Sequence, residues 1–202
     1  MPTRMRLVTL GVGAAASPRY APAGLLVSHR GARVASDGGP GAAPGGRLDA
    51  WLVTDERAEL MSALRTLAAR HGPTPRALST TCGELSVSRR AVVHTNHPAY
   101  GYRLTARGRA VAWAPEFVES PRWAAGADLM LAEAPGWDRP IRFTGCVGGH
   151  LDTLSVSSQA RRLRVRRLVF AHIGRPTIRA LDRGDRPDFG TFGSDGQVFW
   201  VR

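Results

Sequence analysis

At 202 residues the chain is long enough to bury one substantial core, and its 43% hydrophobic share is ordinary for a globular domain. The 28 cations against 16 anions are all Arg, with no Lys and a single Asn at Asn96. Such a bias follows from GC-rich coding and raises the charge to +12 without requiring a polyanionic partner. Cys82 and Cys146 make no disulfide framework, no apolar run nears the roughly 20 residues of a membrane span, and the start MPTRMRLVTLGVG runs into a strand pattern instead of a signal peptide. A protein of the reducing cytoplasm is expected.

Met5 to Val12 is apolar and β-branched and breaks at Gly11 and Gly13, as a strand entering a loop does. Ala23 to Ser28 and Gly31 to Ser36 read as further antiparallel strands. The run DGGPGAAPGGR from Asp37 to Arg47 is loop by composition, and it leads into a short buried strand over Leu48 to Thr54. Asp55 to His71 carries Leu60, Met61, Leu64, Leu67 and Ala68 near the helical period, which predicts a helix capped by Thr54 or Asp55. Short strands are predicted over Gly83 to Val87, Ala91 to His94, Gly101 to Thr105, Ala110 to Ala114 and Ala127 to Ala132, with a helical turn at Arg122 to Gly126. The chain then gives a helix over Thr153 to Arg164, a strand over Arg167 to Ala171, a helix over Pro176 to Arg183, and an alternating tail from Gln197 to Val201. Two runs of strands, each followed by helix, predict an α/β sandwich in one domain spanning 1–202.

Several segments stand in an order that resembles the metallo-β-lactamase superfamily, in particular its ribonuclease Z and cyclic phosphodiesterase branch. They are LGVG at Leu10 to Gly13, ASDGG at Ala35 to Gly39, GYRL at Gly101 to Leu104 and VAWAPEF at Val111 to Phe117. GADLMLAEA at Gly126 to Ala134, GGH at Gly148 to His150 and LVFAHIGR at Leu168 to Arg175 complete the set. The resemblance implies a four-layer αββα sandwich. In that family a ThrHisXHisXAspHis cluster binds two zinc ions, because each needs imidazole nitrogens and a carboxylate at one loop. Here the corresponding segment is LVTDERAEL, with Asp55 and Arg57 at the first two histidine positions, Glu59 at the aspartate and Leu60 at the last histidine. A paired-zinc site is not expected.

By the same resemblance Glu116 stands at the bridging carboxylate and His172 at the terminal strand histidine. His94 or His97 stands near the histidine before the Gly-Tyr strand, and His150 at a histidine that assists phosphodiester cleavage. The metal-ligand candidates are therefore Glu116, His172, His94, His97 and Asp55, and the catalytic candidates are His150 and Glu59. Carboxylates with one or two histidines suit a single Zn²⁺, Mn²⁺, Mg²⁺ or Fe²⁺. The competing expectation is no metal, with Asp55 capping the helix, Glu59 or Glu116 paired with arginine, and Arg57 either locking that cluster or binding an anion. Tyr100, Tyr102 and Trp113 read as packing, and His29 and His71 as turn and helix-end residues.

No GxxxxGK[ST], GxGxxG or GxSxG pattern occurs, so neither nucleotide binding nor a serine nucleophile is indicated. The functions in play are a metal-dependent hydrolase of a phosphodiester or other ester-type substrate, and a non-catalytic ligand-binding or interaction protein. Nucleic acid binding through Arg161, Arg162, Arg164, Arg166 and Arg167 is a weaker third, since such a run is more often a solvated face. The family implies a homodimer.

Overall fold

The computed structural model describes residues 4–70 and 72–202, so His71 lies outside them. Strand β1 (Met5–Gly11) alternates buried and half-buried positions, with Met5, Leu7 and Thr9 turned inward. It pairs antiparallel with β2 (Gly24–His29), which turns at Arg30 and Gly31, both at positive φ, into β3 (Ala32–Asp37). Strand β4 (Ala50–Leu52) then adds parallel to β3. The alternation assigns the two faces of this sheet. Leu25, Val27, Val34 and Leu52 face the main core, while Leu26, Ala35 and Trp51 face helix α1 (Met61–Ala68), which lays Met61, Leu64 and Ala68 on them.

The second sheet begins as a meander of β5 (Thr80–Cys82), β6 (Leu85–Val92), β7 (Ala99–Ala106) and β8 (Arg109–Ala114). Strand β9 (Leu129–Ala134) joins parallel to β8. A small ladder of β10 (Ile141–Arg142) and β11 (Gly149–His150) precedes helix α2 (Thr153–Arg162), whose N-cap Asp152 accepts the Ser155 N–H. Strand β12 (Leu168–Ile173) runs parallel beside β9, and helix α3 (Arg175–Asp182) leads to β13 (Thr191–Phe192). The last strand, β14 (Val198–Val201), returns to pair with β1. The sheet orders are β14-β1-β2-β3-β4 and β13-β12-β9-β8-β7-β6-β5. Every residue of β9 and β12 is buried, as befits parallel strands covered on one face by the first sheet and on the other by α2. The layers are αββα.

Two sequence expectations need correction. The helix expected over 55–71 starts only at Met61, with Leu60 as an N-cap that offers no side-chain bond. Thr54 and Asp55 are engaged elsewhere: Thr54 Oγ1 donates to Asp37, and Asp55 Oδ1 accepts the Arg57 N–H, a local bond that competes with helix initiation. The strands expected at Gly83 to Val87 and Ala91 to His94 are one strand, β6, because Gly83 at φ +59° belongs to the turn before it. The arginine run is exposed at the α2–β12 connection, the solvated face expected of it. Arg166 pairs with Asp128, Arg167 lies 5.0 Å over the Phe199 ring, and Arg164 sits at a left-handed turn. No described helix is long and apolar enough to cross a membrane.

Across the sandwich, the Tyr102 hydroxyl of β7 donates to the Val53 carbonyl at 2.6 Å, so this tyrosine ties the sheets together as well as packing. At the hairpin turns, Glu84 accepts Arg30 at 2.5 Å from the first sheet and Arg107 at 2.7 Å from the second, with His29 Nε2 at 3.5 Å. The Arg107 guanidinium, foremost, holds the Glu84 carboxyl down at about 2. A carboxylate with a depressed folded pKa contributes stability above its unfolded value, and that contribution is lost as pH falls toward the folded one. Glu84→Gln is therefore expected to be less stable than the parent at pH 7 in urea titrations. The difference should shrink between about pH 4.5 and pH 2. A difference unchanged over that range would show that the ion cluster contributes nothing.

Candidate functional site

Strands β4, β8, β9 and β12 all finish at one end of the sandwich, where a cavity of about 700 Å³ opens. Carboxyl ends of parallel strands are where open α/β sheets place ligands. Asp55, Glu59, His94, His97, Glu116, His150 and His172 all line this cavity. The topology therefore brings the seven sequence candidates to one place.

His172 sits where β12 bulges. Its backbone is left-handed at φ +53°, and the ladder to β9 shifts between Ala171 and Ile173. A non-glycine residue there stores strain of about 1–3 kcal/mol, which the surrounding sheet must hold. The consequence is that Nε2 comes 3.3 Å from Oε1 of Glu116, while Nδ1 is buried with no hydrogen-bond partner. The other carboxylate oxygen of Glu116, just past β8, lies 3.6 Å from His94 Nε2.

His94 is set by the glycine pair before His150. Its Nδ1–H donates to the Gly149 carbonyl at 2.9 Å, and the Gly149 N–H donates back to the His94 carbonyl at 2.8 Å. That bond fixes the tautomer and leaves the Nε2 lone pair toward Glu116. Only glycine permits this approach. A Cβ on Gly148 would lie 2.0 Å from the His94 oxygen, one on Gly149 would lie 2.1 Å from the Ile141 oxygen, and both residues have positive φ.

Sequence reasoning missed Glu133. The strand LMLAEA read as buried, correctly, but its lone carboxylate has 0% exposure and was the available signal, since a buried acid needs partners. Oε2 of Glu133 is 2.7 Å from His150 Nδ1, and Oε1 accepts the Leu151 N–H at 2.9 Å. Ligand atoms of Glu133, His150 and His172 lie within 4.8 Å of one another. The His150 ring centre is 4.7 Å from that of His94 and 5.1 Å from that of His172.

Burial dominates the electrostatics. It lifts Glu116 to about 8, with Asp37, Asp55 and Glu59 adding repulsion, and lifts Glu133 well above the carboxylate range. Desolvation and mutual repulsion press His150 to about 2 and His172 to about 3, and lower His94. Neutral imidazoles beside carboxyls that lack a counter-charge are the donor set a divalent cation completes. The 3.3 Å between His172 Nε2 and Glu116 Oε1 falls within the roughly 3.0–3.5 Å edges of a polyhedron with ~2.1 Å bonds, and the 3.6 Å between His94 Nε2 and Glu116 Oε2 is slightly longer. These residues fit one cation.

The facing wall is furnished differently. Asp55 has both oxygens engaged, Oδ2 with His97 Nε2 at 2.8 Å and Oδ1 with the Arg57 N–H at 2.7 Å. Arg57 brings a fixed positive charge to the same wall, and its guanidinium makes no ion pair among the described residues, so the expected Arg57–Glu116–Glu59 cluster is not formed. Glu59 is exposed at the mouth. Asp37, which closes β3 at φ +52°, accepts Trp113 Nε1 at 2.7 Å and the Thr54 N–H and hydroxyl, so Trp113 has a polar role beyond packing. Burial raises the Asp37 carboxyl to about 6.

No family model matches the chain, and no curated protein sequence does. Solved structures do. The metallo-β-lactamase fold protein YhfI from Bacillus subtilis superposes with TM-score 0.75 at 14% identity, covering 98% of this chain and 100% of that one. The fold here is the metallo-β-lactamase fold. Zn²⁺-bound PqqB from Methylobacterium extorquens matches at TM-score 0.68 and 16% identity over 96% of this chain and 99% of its own. Human tRNase Z, short form, matches at TM-score 0.66 and 16% identity over 96% of this chain and 98% of its own. Within the metallo-β-lactamase fold, the strand ends that carry Glu116, Glu133 and His172 form the wall of the cavity that is rich in donors.

Because Gly148 fixes His94, Gly148→Ala is expected to cost about 2–4 kcal/mol in chemical denaturation. Gly45→Ala, where an added Cβ meets nothing within 4 Å, is the control and should stay within about 0.5 kcal/mol of the parent. Equal effects at both positions would refute the tight-turn account.

Proposed function

We propose that this chain is a metal-dependent hydrolase of a phosphodiester or other ester-type small molecule, using one divalent cation (Zn²⁺, Mn²⁺ or Fe²⁺). The observation that carries it is the convergence of His94 Nε2 and His172 Nε2 on the two oxygens of Glu116. These three residues would hold the ion, leaving positions open as hydrolytic sites require. When bound, such an ion polarises the ester oxygen and makes water acidic enough to attack near neutral pH. The zinc in PqqB and the presence of tRNase Z among the fold relatives support this reading.

His150 has the position of a proton carrier. Glu133 holds its Nδ1 and thereby sets its orientation, which leaves Nε2 as the nitrogen to serve the cavity. With the imidazole kept neutral and the buried carboxyl kept protonated, the pair holds a proton that can pass to a leaving oxygen. Asp55 and His97 brace the opposite wall as a hydrogen-bonded pair, and Glu59 at the mouth is placed to meet substrate. One domain in a reducing cytoplasm accords with the free Cys82. The solvated arginine run favours a small substrate over nucleic acid.

The second reading, a non-catalytic ligand-binding protein, draws on Arg57 and on the closed Asp55–His97 pair, which occupy the wall opposite Glu116. Metal analysis of protein purified without chelator, followed by Zn²⁺, Mn²⁺ and Fe²⁺ titration with bis(p-nitrophenyl) phosphate as substrate, separates the two. Bound metal and turnover that falls about 100-fold in Glu116→Gln and His172→Ala are expected. Absence of both metal binding and turnover sinks the hydrolase and leaves the binding protein.

A further inference from the structure

Two arginines line the cavity without a partner. Arg57 comes from the segment between β4 and α1, and Arg175 from the first turn of α3. Both side chains are exposed, and neither makes a hydrogen bond or ion pair among the described residues beyond the backbone N–H of Arg57. Unpaired arginine is common in a chain with this cation excess, so location is what distinguishes these two. Carboxylates are at hand in the same cavity, on Asp55, Glu59 and Glu116, yet Asp55 is committed to His97 and Glu116 faces the imidazoles. The first turn of α3 beside them has a glycine N-cap with no side-chain cap, so its N–H groups add positive potential at the same rim.

The cavity between this cationic rim and the buried Glu/His cluster has apolar walls, with Ala15, Leu60, Pro135, Ile141, Phe143 and Pro176 among its lining. Its size, about 700 Å³, is that of a small-molecule site. Apolar walls alone would accept any hydrophobe. Two fixed cations with ten N–H donors between them add a demand for a negative group, which guanidinium meets with paired hydrogen bonds.

We propose that the cavity takes an amphiphilic anion, an apolar or aromatic body bearing a carboxylate or phosphate that Arg57 and Arg175 grip at the mouth. The inference rests on the hydrolase reading for calling this ligand a substrate, whose ester would then lie over Glu116 and His172. The grip itself is independent of catalysis.

The test is binding to metal-free protein in EDTA, read by fluorescence, of 8-anilino-1-naphthalenesulfonate against N-phenyl-1-naphthylamine, the same aromatic body without the anion. Saturable binding of the sulfonate is expected. It should weaken about tenfold in Arg57→Ala and in Arg175→Ala and recover in part in Arg57→Lys. The uncharged probe should bind these variants like the parent, and Phe143→Ala should weaken both probes. Octyl phosphate or octanoate should displace the sulfonate where octanol does not, and whichever competes better assigns the head group. The proposal is overturned if the parent shows no saturable binding, if neither arginine matters, if Arg161→Ala on α2 weakens binding as much, or if octanol competes equally. Retained anion binding without metal-stimulated turnover would remove only the hydrolase reading. Turnover without arginine-dependent binding would remove only this one.

Discussion

Two carboxyl groups and three imidazoles, buried or half-buried, cluster at the strand ends with no fixed cation among them, and the architecture of that end follows from accommodating them. Each group alone would be costly to desolvate, so each is given a partner or pushed to its neutral form. Glu133 is held by His150 and a main-chain N–H, His94 by a carbonyl, and Glu116 by two imidazoles. His172 Nδ1 remains without a partner, and its residue is also the strained one. Strain and an unsatisfied polar atom on one buried residue are tolerated where a site needs that side chain in that place.

The sandwich supplies the rigidity this requires. β9 and β12 are enclosed on both faces, so Glu133 and the bulge at His172 are fixed by strands with little freedom to relax. The glycine pair at 148 and 149 performs the corresponding service from outside the sheet, where main-chain contact replaces a ladder. Glu116, His94 and His172 are thus brought to one cavity from a loop after β8, the β6–β7 connection and the end of β12.

The fold was legible because its strands carry the two patterns that physical burial imposes, alternation where a strand separates two environments and unbroken apolar runs where both faces are covered. β1 shows the first, and β9 and β12 the second. The start of α1 was not legible, because Thr54 and Asp55 look like caps locally and their actual partners, Asp37 and His97, are 17 and 42 residues away. The histidines and Glu116 were legible through the resemblance to the metallo-β-lactamase superfamily, whose ligand positions they occupy. Glu133 did not, since an acid inside an apolar strand reveals its purpose only when the opposing His150 is placed. Arg57 was expected either to bind an anion or to lock Glu116 and Glu59 into a cluster, and Glu116 instead faces His94 and His172.

The asymmetry between the two walls then has a physical basis. A second cation beside Arg57 would face a charge that cannot be titrated away, since guanidinium stays protonated throughout the accessible range. Asp55 already has one partner on each oxygen, His97 on Oδ2 and the Arg57 N–H on Oδ1. The Glu116 side has the opposite balance, because an added positive charge there would let two raised carboxyls ionise while the imidazoles, already neutral, keep their lone pairs. Positive charge is therefore built into one wall as arginine, and on the proposed reading a cation would supply it to the other. A cavity polarised in that way would orient the proposed ligand by its anionic end, independent of what chemistry follows.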